Sequence, residues 1–113
     1  MLNLVSAVIK PHRLENVKDA LQDAGVAGMT VAEVRGFGRQ RGHTESFRGS
    51  EYTVDFVPKV QVTVLCETGD ADKIAELIAA SAATGTIGDG KVWVQPLDRL
   101  IRVRTGERDT DAL

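Results

Sequence analysis

An α+β sandwich, one four-stranded sheet backed by two helices, is the expectation for this chain of 113 residues, and three observations carry it. Short runs of β-branched and aliphatic residues alternate with two stretches whose apolar positions recur every three or four residues. Their order is strand, helix, strand, strand, helix, strand, a split βαβ arrangement. Between the second and third strands lies one long polar run punctuated by glycine, and connections of about 20 residues survive inside compact domains chiefly when they are used.

Taken in order, Leu2 to Lys10 mixes Leu, Val, Ala and Ile and stops at Pro11, whose missing donor ends a strand. From His12 to Ala24, Leu14, Val17, Leu21 and Ala24 fall at helical spacing among Glu15, Lys18, Asp19 and Gln22, and Gly25 supplies the stop. Met29 to Phe37 returns to β-branched residues until Gly36 and Gly38 break it. The polar run, residues 38–57, reads as one loop. Val60, Val62, Val64 and Cys66 then alternate with Gln61, Thr63 and Leu65, the clearest period-two signal in the chain. Asp70 or Asp72 can cap the second helix, whose face is Ile74, Leu77, Ile78 and Ser81. A glycine-rich turn over 84–90 leads to a last strand, Lys91 to Leu97, and the charged tail 98–113 is expected to be only partly ordered. The order is that of ferredoxin-like folds. Two helices cover one face of such a sheet, yet Leu4 and Val8 oppose Val5, Ala7 and Ile9, so the uncovered apolar face predicts a homo-oligomer packed sheet to sheet.

Length and composition bound the answer. The chain suffices for one domain, 1–113, with 42% hydrophobic and 27% charged residues, as in ordinary globular proteins. A net charge of -2 argues against a generic nucleic-acid binder. One cysteine, Cys66, permits no intrachain disulfide. Met1 to Lys10 carries no basic leader and no window has the length of a membrane span, so a cytoplasmic location is expected.

Three groups suit anions. Gly36-Phe37-Gly38-Arg39-Gln40 follows a strand, Thr84-Gly85-Thr86-Ile87-Gly88-Asp89-Gly90-Lys91 precedes one, and Arg102 and Arg104 alternate in the tail. Glycines admit phosphate oxygens close to backbone N–H groups, and each cation adds charge-assisted hydrogen bonds of roughly 1.5–3 kcal/mol. Residues 84–91 lack the Walker spacing and lead into a strand rather than a helix. Arg35-Gly36-Phe37-Gly38 begins like an RNA-recognition motif, but Arg39 stands where a stacking aromatic is needed and only 4% of the chain is aromatic. Catalytic constellations are absent: His12 and His43 lie far apart, Cys66 sits in an apolar alternation, and Asp89 suits a metal or, by preference, the turn itself. Tyr52, among polar residues, is expected at the surface.

These segments, together with Arg48-Gly49-Ser50-Glu51-Tyr52 and Ile101-Arg102-Val103-Arg104-Thr105-Gly106-Glu107, closely resemble the PII nitrogen-regulatory signal proteins, in register from about Leu2 to Glu107. The resemblance implies a homotrimer of ferredoxin-like subunits with ATP or ADP in clefts between neighbours and 2-oxoglutarate beside Mg²⁺-ATP. It assigns the nucleotide to Gly36, Phe37, Gly38, Arg39, Gly88, Asp89, Gly90 and Lys91, with Arg102 and Arg104 reaching in from the next subunit. Gln40 would ligate Mg²⁺, and Gln40, Lys59 and Gly88 would hold 2-oxoglutarate, Lys59 taking the far carboxylate.

The same resemblance makes residues 38–57 the effector loop. Tyr52 would receive a uridylyl or adenylyl group from a nucleotidylyltransferase, Ser50 is the position phosphorylated in some members, and Arg48 would enter the pore of an ammonium channel. A glutamine synthetase-modifying enzyme or a transcription regulator are further implied partners, with no nucleic acid, and the channel would recruit the protein reversibly to the membrane. Thr63 and Thr86 depart from common family residues near the base and in the turn, and Phe47 from a common tyrosine, leaving Tyr52 the one tyrosine of the chain. The reading is a non-enzymatic sensor of energy and carbon-nitrogen status. A small nucleotide-hydrolysing or transferring enzyme in the same cleft is the alternative, with an RNA-binding module behind it.

Overall fold

In a computed structural model, residues 1–38, 44–47, 50–53 and 56–113 are described, with backbone alone for 44–47 and 50–53. Four strands, β1 (Leu2–Ile9), β2 (Thr30–Gly36), β5 (Val57–Glu67) and β6 (Gly90–Leu97), form one antiparallel sheet in the order β2-β5-β1-β6. Helices α1 (Leu14–Asp23) and α2 (Thr68–Ala82) lie on one side of it. This is the expected ferredoxin-like sandwich.

The register explains which side is covered. Val5, Ala7 and Ile9 of β1 stand opposite Val64, Val62 and Val60 of β5, and all are buried. Val17 and Leu21 of α1 and Ala71, Ile74, Ile78 and Ala82 of α2 close over them, spacings that keep each set on one helical face. Ile78 is fully enclosed. The Arg13 guanidinium donates to the Ser81 carbonyl at 2.8 and 3.2 Å, tying the start of one helix to the end of the other. On the opposite face, Leu4 pairs with Leu65, and Ser6 with Trp93, and here Leu65 and Trp93 stay 43% and 38% exposed. The apolar open face expected from the sequence is present on the single chain.

Four expectations change. Pro11–Arg13 form a turn of 3-10 helix ahead of α1, since proline fits a first helical turn but gives no donor. Helix α2 starts at Thr68, without a capping side chain, rather than at Asp70 or Asp72. The Thr68 N–H donates instead to the Met1 carbonyl at 3.0 Å, and Asp70 lies within the first turn, where a carboxylate suits the helix dipole. Within residues 38–57, Thr44–Phe47 (β3) and Ser50–Thr53 (β4) pair as a two-stranded ladder, so the segment is not loop throughout. Thr44, Phe47, Tyr52 and Thr53 are strand-favouring residues whose short run was hidden among charges.

The tail, finally, is built rather than loose. Ile101 bridges Arg108, the Arg102 N–H donates to the Glu107 carbonyl at 2.9 Å, and Asp109–Ala112 make a 3-10 turn. The Arg102 guanidinium donates to the Leu113 oxygen, and Asp109 Oδ1 accepts the Leu100 N–H at 3.2 Å. Among the described residues no helix is long and apolar enough to cross a membrane.

Candidate functional site

At one end of the sheet, β1 and β2 finish while β5 and β6 begin. The pairs Ile9–Gly90, Val8–Lys91 and Val34–Lys59 bring these ends side by side. The parity of the strands then decides what faces outward. Val8, Lys59, Lys91 and Trp93 all belong to the face that the helices leave open. With Gly36, Phe37, Gly38, Val57 and the turn from Thr86 to Gly90 they line a cleft of about 740 Å³. Residues 38–57 leave and rejoin the sheet at its rim.

Backbone geometry makes the turn what it is. Gly88 and Gly90 have φ of 91° and 104°, conformations that side chains resist. At Gly90 the constraint is doubled, because an added Cβ would fall 1.7 Å from the Val8 carbonyl oxygen. The Asp89 carboxylate organises the rest: Oδ2 accepts the Thr84 and Gly85 N–H groups at 2.7 and 2.9 Å, and Oδ1 accepts the Thr84 hydroxyl. Lys10 reaches Asp89 Oδ1 at 3.2 Å and donates to Thr84 and Thr86.

Charge follows from these contacts. The Thr84 hydroxyl and amide, then Lys10 and the Gly85 amide, hold the Asp89 carboxyl well below the usual carboxylate range. Across the cleft the Lys59 ammonium donates to the Gly88 carbonyl at 2.6 Å. Burial, reinforced by the nearby Lys10 charge and opposed by Asp89, pushes Lys59 below the ordinary lysine value. A partly desolvated ammonium beside exposed Lys91 and open backbone is chemically matched to an anion.

The structure therefore gathers Gly36, Phe37, Gly38, Lys59, Gly88, Asp89, Gly90 and Lys91 from the sequence reading into one cleft. Arg102 and Arg104 are elsewhere, on the tail, where the Arg102 guanidinium pairs with Glu107 at 2.8 Å and donates to the Leu113 oxygen. Thr63 lines a second cavity, also about 740 Å³, with Gly28, Met29, Thr30, Leu65 and Leu113. Arg39, Gln40 and Arg48 lie outside the described residues, as do the side chains of Ser50 and Tyr52 in β4. Among the described residues no cluster of three or more His, Cys, Asp or Glu could hold a metal. The cleft would suit Mg²⁺ through oxygens the ligand brings, since this hard cation keeps few protein ligands beside phosphates.

Several residues that support the cleft from behind its lining have no signal in the sequence. Lys10 follows the Ile9–Gly90 pair and so meets Asp89 only through the β1–β6 register. Phe56 packs edge-on against Phe37, with centroids 5.8 Å apart, and the Arg35 guanidinium lies 6.0 Å over the Phe56 ring. This cluster braces the two ends of the long loop. No local pattern signals either pairing, because both join residues about 20 or more positions apart.

Fold and cleft together define a ferredoxin-like sandwich with a glycine- and lysine-lined cleft at the root of a long loop. The family model described as nitrogen regulatory protein P-II matches residues 2–107, and the chain belongs to that family. It is 50% identical over 109 residues to nitrogen regulatory protein P-II of Synechocystis sp., covering 96% of this chain and 97% of the relative. With that of Azospirillum brasilense it shares 50% over 109 residues, at the same coverage. Among solved structures it is similar to Arabidopsis thaliana PII bound to citrate, with a TM-score of 0.82 and 36% identity, over 99% of this chain and 92% of that one. The protein is a nitrogen-regulatory signalling protein, not an enzyme.

Proposed function

We propose that this chain, as one domain over 1–113, senses energy and carbon-nitrogen status by binding ATP or ADP and, beside Mg²⁺-ATP, 2-oxoglutarate. The observation that carries the reading is the convergence of Lys59, Gly88, Gly90 and Lys91 on one cleft at the root of residues 38–57. Phosphates lie along Gly36, Phe37, Gly38, Arg39 and the Gly88–Lys91 backbone, with Asp89 shaping the turn. Gln40 completes the Mg²⁺ shell, and Lys59 turns from the Gly88 carbonyl to the far carboxylate of the keto acid. The Arabidopsis relative bound to citrate supports a fold that accepts a polycarboxylate.

The working unit is a homotrimer. The open sheet face supplies the apolar surface, and the separate cavity that holds Thr63, together with Arg102 and Arg104, supplies the other half of a cleft formed by the next copy. Ligands change the population of loop conformations by their differential affinity for them. The loop is read by an ammonium channel through Arg48, by a nucleotidylyltransferase acting on Tyr52, and by a glutamine synthetase-modifying enzyme or a transcription regulator. Ser50 is a further position for phosphate. The protein is cytoplasmic and is drawn to the membrane by the channel.

Calorimetric titration of Mg²⁺-ATP tests the cleft. Wild type binds, and Lys91→Met weakens binding by roughly 10- to 100-fold, the value of a charge-assisted hydrogen bond. Wild type that binds no nucleotide, or a Lys91→Met variant of undiminished affinity, contradicts the reading. Sedimentation equilibrium gives three protomers, and a monomer at micromolar concentration contradicts the shared cleft.

A further inference from the structure

The turn proposed for phosphates contains its own anion. Asp89 lies between Gly88 and Gly90, and a bare carboxylate there repels a polyphosphate. Lys10 answers that charge from the adjoining end of β1 at 3.2 Å, and the two side chains are only 13% and 25% exposed. Its ammonium also donates to the Thr84 hydroxyl at 3.1 Å and to the Thr86 hydroxyl. Three acceptors match its three donors, so the ammonium is engaged by the turn itself. Thr86 and Thr84 stand 2.7 Å apart, closing the network on the residue whose amide Asp89 also holds.

We propose that Lys10 is a positioning residue of the phosphate cleft: it fixes the turn over 84–90 and cancels the Asp89 charge, acting on the nucleotide through Asp89. This rests on the ATP reading above.

The dependence on charge gives a signature that a merely structural lysine lacks. In Lys10→Met, Asp89 faces the phosphates without its ion-pair partner, so the loss grows with phosphate number. Lys10→Met combined with Asp89→Asn removes both charges and keeps the turn bonded. The Asn oxygen can take the Thr84 and Gly85 N–H groups now on Oδ2, while its amide donates to the Thr84 oxygen, reversing that bond.

The experiment is calorimetric titration of AMP, ADP and ATP, each with Mg²⁺, into four proteins: wild type, Lys10→Met, Lys10→Arg and the double variant. Lys10→Met loses about tenfold or more for ATP, less for ADP and least for AMP. Lys10→Arg stays within about threefold of wild type, and the double variant regains most of the ATP loss. Unchanged ATP binding by Lys10→Met overturns the proposal, and so does a double variant no better than Lys10→Met, which would mean that Lys10 touches the nucleotide directly. Wild type that binds no ATP overturns the underlying reading and this one with it; wild-type binding separates the two failures.

Discussion

Gly90→Ala puts the cleft's most constrained position under load. The native φ of 104° lies outside the wells open to alanine, a strain of about 1–3 kcal/mol. The new Cβ would also stand 1.7 Å from the Val8 carbonyl oxygen and 2.8 Å from its carbon. Carbon and oxygen do not approach so closely, so β6 must part from β1 at the Ile9–Gly90 pair. Losing one or two ladder hydrogen bonds there adds about 0.5–1.5 kcal/mol each. The total is about 2–6 kcal/mol against a domain stability of roughly 5–15. With a urea slope of about 2 kcal/mol per molar, the midpoint falls by about 1–3 M. Urea unfolding followed by far-UV circular dichroism, at one fixed protomer concentration, reads this directly. Gly28→Ala, with nothing within 4 Å of its added Cβ, is the control and shifts by less than about 0.5 kcal/mol. A Gly90→Ala loss no larger than the control's refutes the argument.

Other consequences follow from the same geometry. Ile78→Ala, at the fully buried centre of α2, costs about 2–5 kcal/mol by thermal or urea unfolding, and a cost under 1 would mean that the core collapses around the site. Burial pushes the Cys66 thiol up, so in native buffer it resists a thiol reagent and labels only at the rate of unfolding; prompt stoichiometric labelling contradicts its placement. Asp89, with its folded value depressed below the ordinary 3.8, contributes stability that is present above that value and lost as pH falls through the lower folded one. Asp89→Asn therefore flattens the acid limb of the stability–pH curve, and an unchanged limb counts against the Thr84 and Lys10 contacts.

Much of the sandwich is legible in the chain because its signals are local. The alternation from Val60 to Cys66 reads directly as a strand with one buried face, and the 3–4 spacing of Val17 and Leu21 as a helix. The glycine turn is legible for the same reason, since positive φ selects glycine at 88 and 90. What escaped is set by tertiary register. Lys10 meets Asp89, and Phe56 meets Phe37, only once β1, β2, β5 and β6 are aligned. The start of α2 is not legible because a backbone partner, the Met1 carbonyl, takes the place of an acidic cap. The order of the tail is not legible because Arg102, Glu107 and Asp109 read as solvated charges, whereas each bonds within the tail. The β3–β4 ladder is not legible for want of apolar alternation in its sequence.

The most direct measurement is calorimetric titration of 2-oxoglutarate into the purified protein with Mg²⁺-ATP, with Mg²⁺-ADP and with no nucleotide. The coupled cleft predicts binding with Mg²⁺-ATP alone, lost in Gln40→Ala while ADP affinity holds. Binding of equal strength in all three conditions, or none in any while ATP still binds, would contradict the sensing of carbon through this cleft.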